Sequence, residues 1–195
     1  MATDTDADAR EENHEVESTD ETSAAPVIDD EVAAAVVEKF PSTVFVDSHG
    51  QAVLHVERAD WAGVATFLRD EQRFTQCLDV CAVDHLVDAA RTVPPGVSAE
   101  RFEVVANFLS HPRNRRIRTI CQVPADDMTV PSIAMLYPGI AFGERETYDL
   151  FGVVFDGHDD LTRILMPDDW SGHPLRKDDS PARVPVTFKQ DPGPR

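Results

Sequence analysis

Phe102, Val104, Ala106 and Phe108 alternate strictly with other side chains along one short segment. That period of two marks a strand with one face in a core and the other outside it. His111-Pro112-Arg113-Asn114 follows as a turn, and Arg116 to Val123 returns as an antiparallel partner. Such a hairpin requires a sheet, and the remaining segments must supply the layer that covers its apolar face.

The upstream chain offers that layer. Asp29 or Asp30 is a good N-cap for a helix running to about Lys39, with Val32, Val36, Val37 and Phe40 on one face. Pro41 ends it. Thr43 to Val46 and Gln51 to Val56 read as strands about the turn Ser48-His49-Gly50. Asp60 caps a second helix carrying Trp61, Val64, Ala65 and Leu68. Gln76 to Val83 reads as a mostly buried strand, and Arg91 to Ala99 as a loop around Pro94-Pro95-Gly96. Val130 to Tyr137 reads as a short helix, with Pro131 at its first position and Pro138 closing it. The expected fold is α+β: a small mixed or antiparallel sheet with helices packed on it, followed by an extended C-terminal arm. Its expected divisions are a disordered acidic tail at 1–31, the α+β domain at 32–140, and a signature helix with its arm at 141–195.

Charge supports the first division. Of a net charge of −18, residues 1–31 hold −11, from twelve acidic side chains against Arg10. A block of like charge with few apolar groups cannot bury enough surface to order itself. The longest apolar run, Val32 to Val37, falls far short of the roughly 20 residues of a membrane helix. The acidic N-terminus is unlike a signal peptide, so a cytoplasmic location is expected. Nucleic acid is disfavoured as a partner, because phosphate binding needs a basic footprint. The one basic cluster is Arg113, Arg115, Arg116 and Arg118. It suits a solvated strand edge that resists aggregation, or a docking patch for an acidic partner. Cys77, Cys81 and Cys121 form no Cys-x-x-Cys pair and read as reduced core thiols, the first two on one face of their strand.

Residues 143–178 are the densest in Gly, His, Trp, Arg and carboxylates. Glu144 to Phe151 forms about two helical turns, with Arg145 and Asp149 spaced for a surface ion pair and Gly152 placed as the C-terminal cap. Arg145 reads as the centre of an ion-pair network fixing the helix to the arm. Val153-Val154-Phe155 is a short strand closed by Asp156-Gly157. Beyond His158 no period persists, and Pro recurs at 167, 174, 181, 185, 192 and 194. Such an arm suits lying along another protein. Trp170 is then either anchored back on the domain or, in the favoured reading, an interface anchor flanked by Arg176 and Lys177.

Glu144-Arg145-Glu146, two residues, Asp149-Leu150-Phe151-Gly152 and then His158 resemble the signature of the 30 kDa subunit family of respiratory complex I, the C subunit of bacterial NADH:quinone oxidoreductase. Arg163-Ile164-Leu165-Met166-Pro167, Asp169-Trp170 and Gly172-His173-Pro174-Leu175-Arg176-Lys177-Asp178 resemble the rest of that pattern. Thr162, Asp159 and Asp179-Ser180 depart from it, where the family commonly has a basic residue, Pro and Tyr-Pro. The resemblance implies a non-redox structural subunit of the peripheral arm, held at the cytoplasmic side of the plasma membrane through the complex. It would dock on the 49 kDa-type (D) subunit near the quinone site, with the B subunit also nearby. NADH, FMN, iron–sulfur clusters and quinone would sit on other subunits, leaving this chain with no cofactor, metal or catalytic residue of its own. Glu144 and Glu146, two apart on a helix, point away from one another and make no acid–base pair. Two alternatives stand: the equivalent subunit of a membrane-bound hydrogenase or other quinone-linked dehydrogenase, and a metal-dependent hydrolase using His158, Asp160 and His173.

Overall fold

The computed structural model describes residues 30–179, so residues 1–29 of the tail expected at 1–31, and the end of the arm at 180–195, lie outside the described residues. Helix α1 (Glu31–Lys39) begins inside the expected acidic tail, because the buried Asp30 carboxylate accepts from the Val32 and Ala33 amides. Ala33, rather than Val37, shares its buried face with Val32 and Val36. Strands β1 (Val44–Ser48) and β2 (Gln51–Val56) form a hairpin. His49 and Gly50 both take positive φ there, as the tightest hairpin turns require. Helix α2 (Trp61–Asp70) follows. Asp60 holds the cap position without capping, since its carboxylate accepts from the Ser42 hydroxyl instead.

Strands β3 (Gln76–Asp84), β4 (Phe102–Ser110) and β5 (Arg115–Val123) complete a five-stranded mixed sheet in the order β1-β2-β5-β4-β3. All pairs are antiparallel except β2 with β5. The hairpin expected from the alternation at 102–108 is thus its centre. The core lies between the sheet and the helices, where Trp61, Val64 and Leu68 meet Leu54, Phe102, Phe108 and Ile117. Leaving these large side chains in water would forgo roughly 1.5–3 kcal/mol each.

Four expectations need correction. Strand β3 is an edge strand with Gln76, Leu78, Asp79 and Val83 exposed, not a mostly buried one. A bulge between Cys77 and Asp79 shifts its register, so Cys77 pairs opposite the buried Phe108 and Cys81 opposite Val105. The two thiols therefore stand on opposite faces. The arginines flank the start of β5, a central strand, so they guard no strand edge. Residues 130–137 form no α-helix: β6 (Thr129–Pro131) pairs in parallel with β7 (Val154–Asp156), and only turns and a 3₁₀ turn (Pro138–Ile140) follow. Val130 is drawn into that pairing opposite Phe155, and both are buried.

Helix α3 (Ala141–Phe151) starts three residues earlier than expected and packs along β3. The Thr147 hydroxyl donates to the Val80 carbonyl, and Gly143 lets the helix approach that strand's backbone. Val153 and Phe155 are buried in the same core as α1 and α2, so the division drawn at 140/141 is not a physical boundary.

Candidate functional site

Every turn of α3 places a polar side chain that ties down a neighbouring segment. Glu144, in the first turn, is fully buried and accepts from the Ser132 hydroxyl at 2.5 Å and the Ile133 amide at 2.7 Å. Burial raises its pKa, and these hydrogen bonds only partly offset that. Glu146 is exposed on the other side. Their divergence follows the helical spacing.

Arg145 does not pair with Asp149. Its guanidinium donates to the Thr162 carbonyl, the Thr162 hydroxyl and the Arg163 carbonyl at 2.9–3.1 Å, with Asp160 at 3.7 Å. It does fix helix to arm, mostly through carbonyl acceptors instead of carboxylates. Arg145→Ala is expected to destabilise the isolated chain by about 1–2 kcal/mol, which urea unfolding would measure.

Asp149 is the centre of the site. Its side chain has no exposed surface, and its carboxylate takes four donors from the arm. The Arg163 guanidinium bonds Oδ1 at 2.6 Å, while the amides of Ile164, Leu165 and Met166 converge on Oδ2 at 2.8–3.0 Å. Burial alone would raise this group. The Met166 amide, Arg163 and the other two amides prevail and hold it down at about 2. The Arg163 guanidinium also donates to the Gly172 carbonyl, closing a loop of the arm.

Gly152 caps α3 at φ 82°, as expected. A second reason for glycine appears: a Cβ there would stand 2.8 Å from the His173 ring. That ring donates from Nδ1 to the Asp149 carbonyl at 2.9 Å. His158 donates from Nε2 to the Ala141 carbonyl and accepts the Asp160 amide at Nδ1. Each histidine is thus spent on backbone. Among the described residues, no three His, Cys, Asp or Glu converge as metal ligands.

A second anchor was missed from sequence. Asp84, buried at the end of β3, pairs with Arg101 at 2.8 Å and accepts the Lys177 amide at 2.8 Å. Desolvation is outweighed by Arg101 and the Lys177 and Leu86 amides, which hold Asp84 at about 2. Arg101 also reaches Asp178, and Arg176 stacks over the Phe102 ring at 5.3 Å. The available signal was parity: Asp84 follows Val80 and Ala82 on the buried face, where a carboxylate requires a partner.

The arm from 158 to 179 is therefore bound to its own domain, contrary to the expectation of an arm given over to a neighbour. Phe151, Pro174 and Trp170 are half-buried along it, and the Trp170 indole nitrogen is shielded without a hydrogen-bond partner. The outward residues include three large apolar ones among acidic neighbours: Ile164, Leu165 and Leu175 are 37%, 59% and 44% exposed, while Asp159, Asp160, Asp168 and Asp169 are exposed too. A cleft of about 410 Å³, lined by Ser42, His55, Arg58, Val97 and Gln122 among others, includes none of the signature residues. What the site can do is hold a backbone in place and present its apolar side chains.

The family model described as respiratory-chain NADH dehydrogenase, 30 Kd subunit, matches residues 54–184. The C subunit of NADH-quinone oxidoreductase from Salinispora tropica is 42% identical over 82% of this chain and 64% of its own length. The Nocardioides protein of the same name is 44% identical over 72% and 53%, and that of Herpetosiphon aurantiacus 42% over 73% and 79%. The chain thus spans between about half and two thirds of the lengths of the Salinispora and Nocardioides relatives. Among solved structures, a trypsin-resistant fragment of Nqo5 superposes with a TM-score of 0.57 at 28% identity, covering 67% of this chain and 99% of that one. A chain of an archaeal membrane-bound sulfane sulfur reductase shares the fold, with a TM-score of 0.61 at 22% identity, over 85% and 97%. This chain belongs to the 30 kDa subunit family of the respiratory-chain NADH dehydrogenase.

Proposed function

We infer that the chain is a structural subunit of a proton-translocating NADH:quinone oxidoreductase, with no redox centre of its own. It docks on the 49 kDa-type (D) subunit near the quinone site, close to the B subunit, in the peripheral arm at the cytoplasmic side of the plasma membrane. Family membership supports the assignment to that complex. The observation that carries the docking role is the two-sidedness of the arm. The Arg163 guanidinium, the amides of 164–166 and 177 and the Asp178 carboxylate are bound to Asp149, Asp84 and Arg101, while the Ile164, Leu165 and Leu175 side chains are left exposed among acidic residues. A segment pre-ordered in this way loses little conformational freedom when a partner covers it, so more of the contact energy appears as affinity.

NADH, FMN, iron–sulfur clusters and quinone belong, on this reading, to other subunits. No helix among the described residues is long and apolar enough to cross a membrane, so membrane association comes through the complex. The equivalent subunit of a membrane-bound hydrogenase or other quinone-linked dehydrogenase is the second reading. It draws on the fold shared with the archaeal respiratory complex.

The test is Leu165→Asp. The backbone of residue 165 is held by Asp149 while its side chain stands 59% exposed, so the isolated protein should keep its stability. Co-purification with the D subunit from native membranes should fall at least about 5-fold, as loss of an interface anchor worth over ~1 kcal/mol requires. Trp170→Ala should act in the same direction. Unchanged recovery of the D subunit with both variants overturns the docking role, and mass spectrometry of the co-purified proteins distinguishes the two complexes.

A further inference from the structure

The cleft of about 410 Å³ is a cavity that the arm and its anchors do not use, and its size is that of a small-ligand site. It opens where β2 and β5 end. These two form the parallel pair of the five-stranded sheet, with Val56 beside Cys121, so both run out of it at the same end. The outgoing loops of neighbouring parallel strands leave a crevice, the usual ligand position in open sheets. One wall of the cleft is the loop between β3 and β4, and that loop is fixed in place. Gly96, at φ 88°, turns it against Val44. Arg91 donates to the Gln122 side-chain oxygen at 2.7 Å, and the Glu100 amide donates to the same oxygen at 3.1 Å. The wall is therefore ordered before anything binds, so little freedom is lost on binding.

His55 lines this cleft, and its Nδ1 is shielded from water without a hydrogen-bond partner. His85, His111, His158 and His173 each have one. A buried polar atom left unpaired destabilises, and a group that pairs it offsets that loss. The χ2 torsion of a histidine is roughly two-fold, so a half-turn of the ring brings this nitrogen to the cleft side. Burial, with Arg91 adding to it against the charge of Glu103, lowers the His55 pKa, and a neutral ring carries one acceptor nitrogen. Charge decides what meets it. Of the charged residues lining the cleft, Arg58 is already held by the Asp127 carboxylate at 2.9 Å and by the Asp127 and Thr129 carbonyls. Glu57 and Glu100 enter no ion pair among the described residues. We propose that the cleft binds a primary alkylammonium group, whose three N–H donors suit the His55 acceptor nitrogen and the Glu57 and Glu100 carboxylates, with its alkyl chain along Val44, Val97 and Pro124. The group comes from a free amine or from a lysine side chain of a neighbouring protein. None of the signature residues takes part, so the site does not rest on the docking of the arm.

The experiment is an NMR titration of the full, isotope-labelled chain with butylammonium chloride at neutral pH. The His55 ring and the Val97 amide should shift together and saturate in the millimolar range expected of so small a ligand, while the His158 and His173 rings stay still. Butanol has the same shape without the charge and should bind several-fold more weakly. Glu57→Gln combined with Glu100→Gln should also weaken butylammonium several-fold, as loss of two partly exposed charge contacts implies. That variant should keep its fold, because neither carboxylate holds another described residue. Nα-acetyl-lysine methylamide separates the two sources: tighter binding than butylammonium assigns the cleft to a lysine side chain, and weaker binding assigns it to a free amine. No saturable shift at His55, equal binding of butanol, or undiminished binding by the double variant overturns the proposal.

Discussion

Asp149→Ala is expected to destabilise the protein by roughly 3–5 kcal/mol, the range for removing one partner of a buried ion pair. The loss is large because the vacancy is shared. Arg163 would keep a half-buried charge without its counter-ion, and the amides of Ile164, Leu165 and Met166 would lose their common acceptor. Urea unfolding measures the stability. Hydrogen exchange at residues 164–166 should rise even under conditions where the sheet stays protected. Asp149→Asn should fall between, since an amide oxygen still accepts but carries no charge. Acid titration gives an independent check. Because folding lowers this carboxyl to about 2 from 3.8, its contribution is fully present above pH ~4 and is lost as pH falls through about 2. Asp84, also at about 2, is lost in the same window, so the arm should loosen at both anchors together.

Glu144 should behave in the opposite sense. Glu144→Ala leaves the Ser132 hydroxyl and Ile133 amide without an acceptor beside an empty volume, which is expected to cost about 2–4 kcal/mol. Glu144→Gln should cost little at neutral pH and gain as pH rises. The folded-state pKa of Glu144 lies above its unfolded value, so its favourable protonated form is complete below the unfolded pKa and is lost as pH climbs through the folded one. Glutamine can fill the same space as a neutral donor and acceptor. Thermal unfolding of the three proteins between pH 4 and 8 checks the order. A glutamine variant as unstable as the alanine one at neutral pH would show that the charge itself is needed.

How much of this was legible in the sequence depended on whether a signal was local. The β4–β5 hairpin, the β1–β2 turn, α1 with its Asp30 cap and Gly152 at the end of α3 all rest on neighbours within a few residues, and all stand. The bulge at Cys77 was hidden because one extra residue reverses every parity argument after it. Residues 130–137 carried a helix-like opening, yet β7, more than twenty residues away, decides their conformation. The partners of Asp149 were misassigned for a related reason. A four-residue spacing to Arg145 was visible, but burial favoured an acceptor for three successive amides, and those amides lie in the arm. The signature positions were recognisable; the direction in which they face was not.

Thr147 and Gly143 seat α3 along the outermost strand, with a hydroxyl on the Val80 carbonyl. An uncovered strand border offers its amides and carbonyls to any passing extended chain. The helix bearing the family motif therefore also covers that border against fibre-like growth. Damage that unseats it should yield precipitated protein.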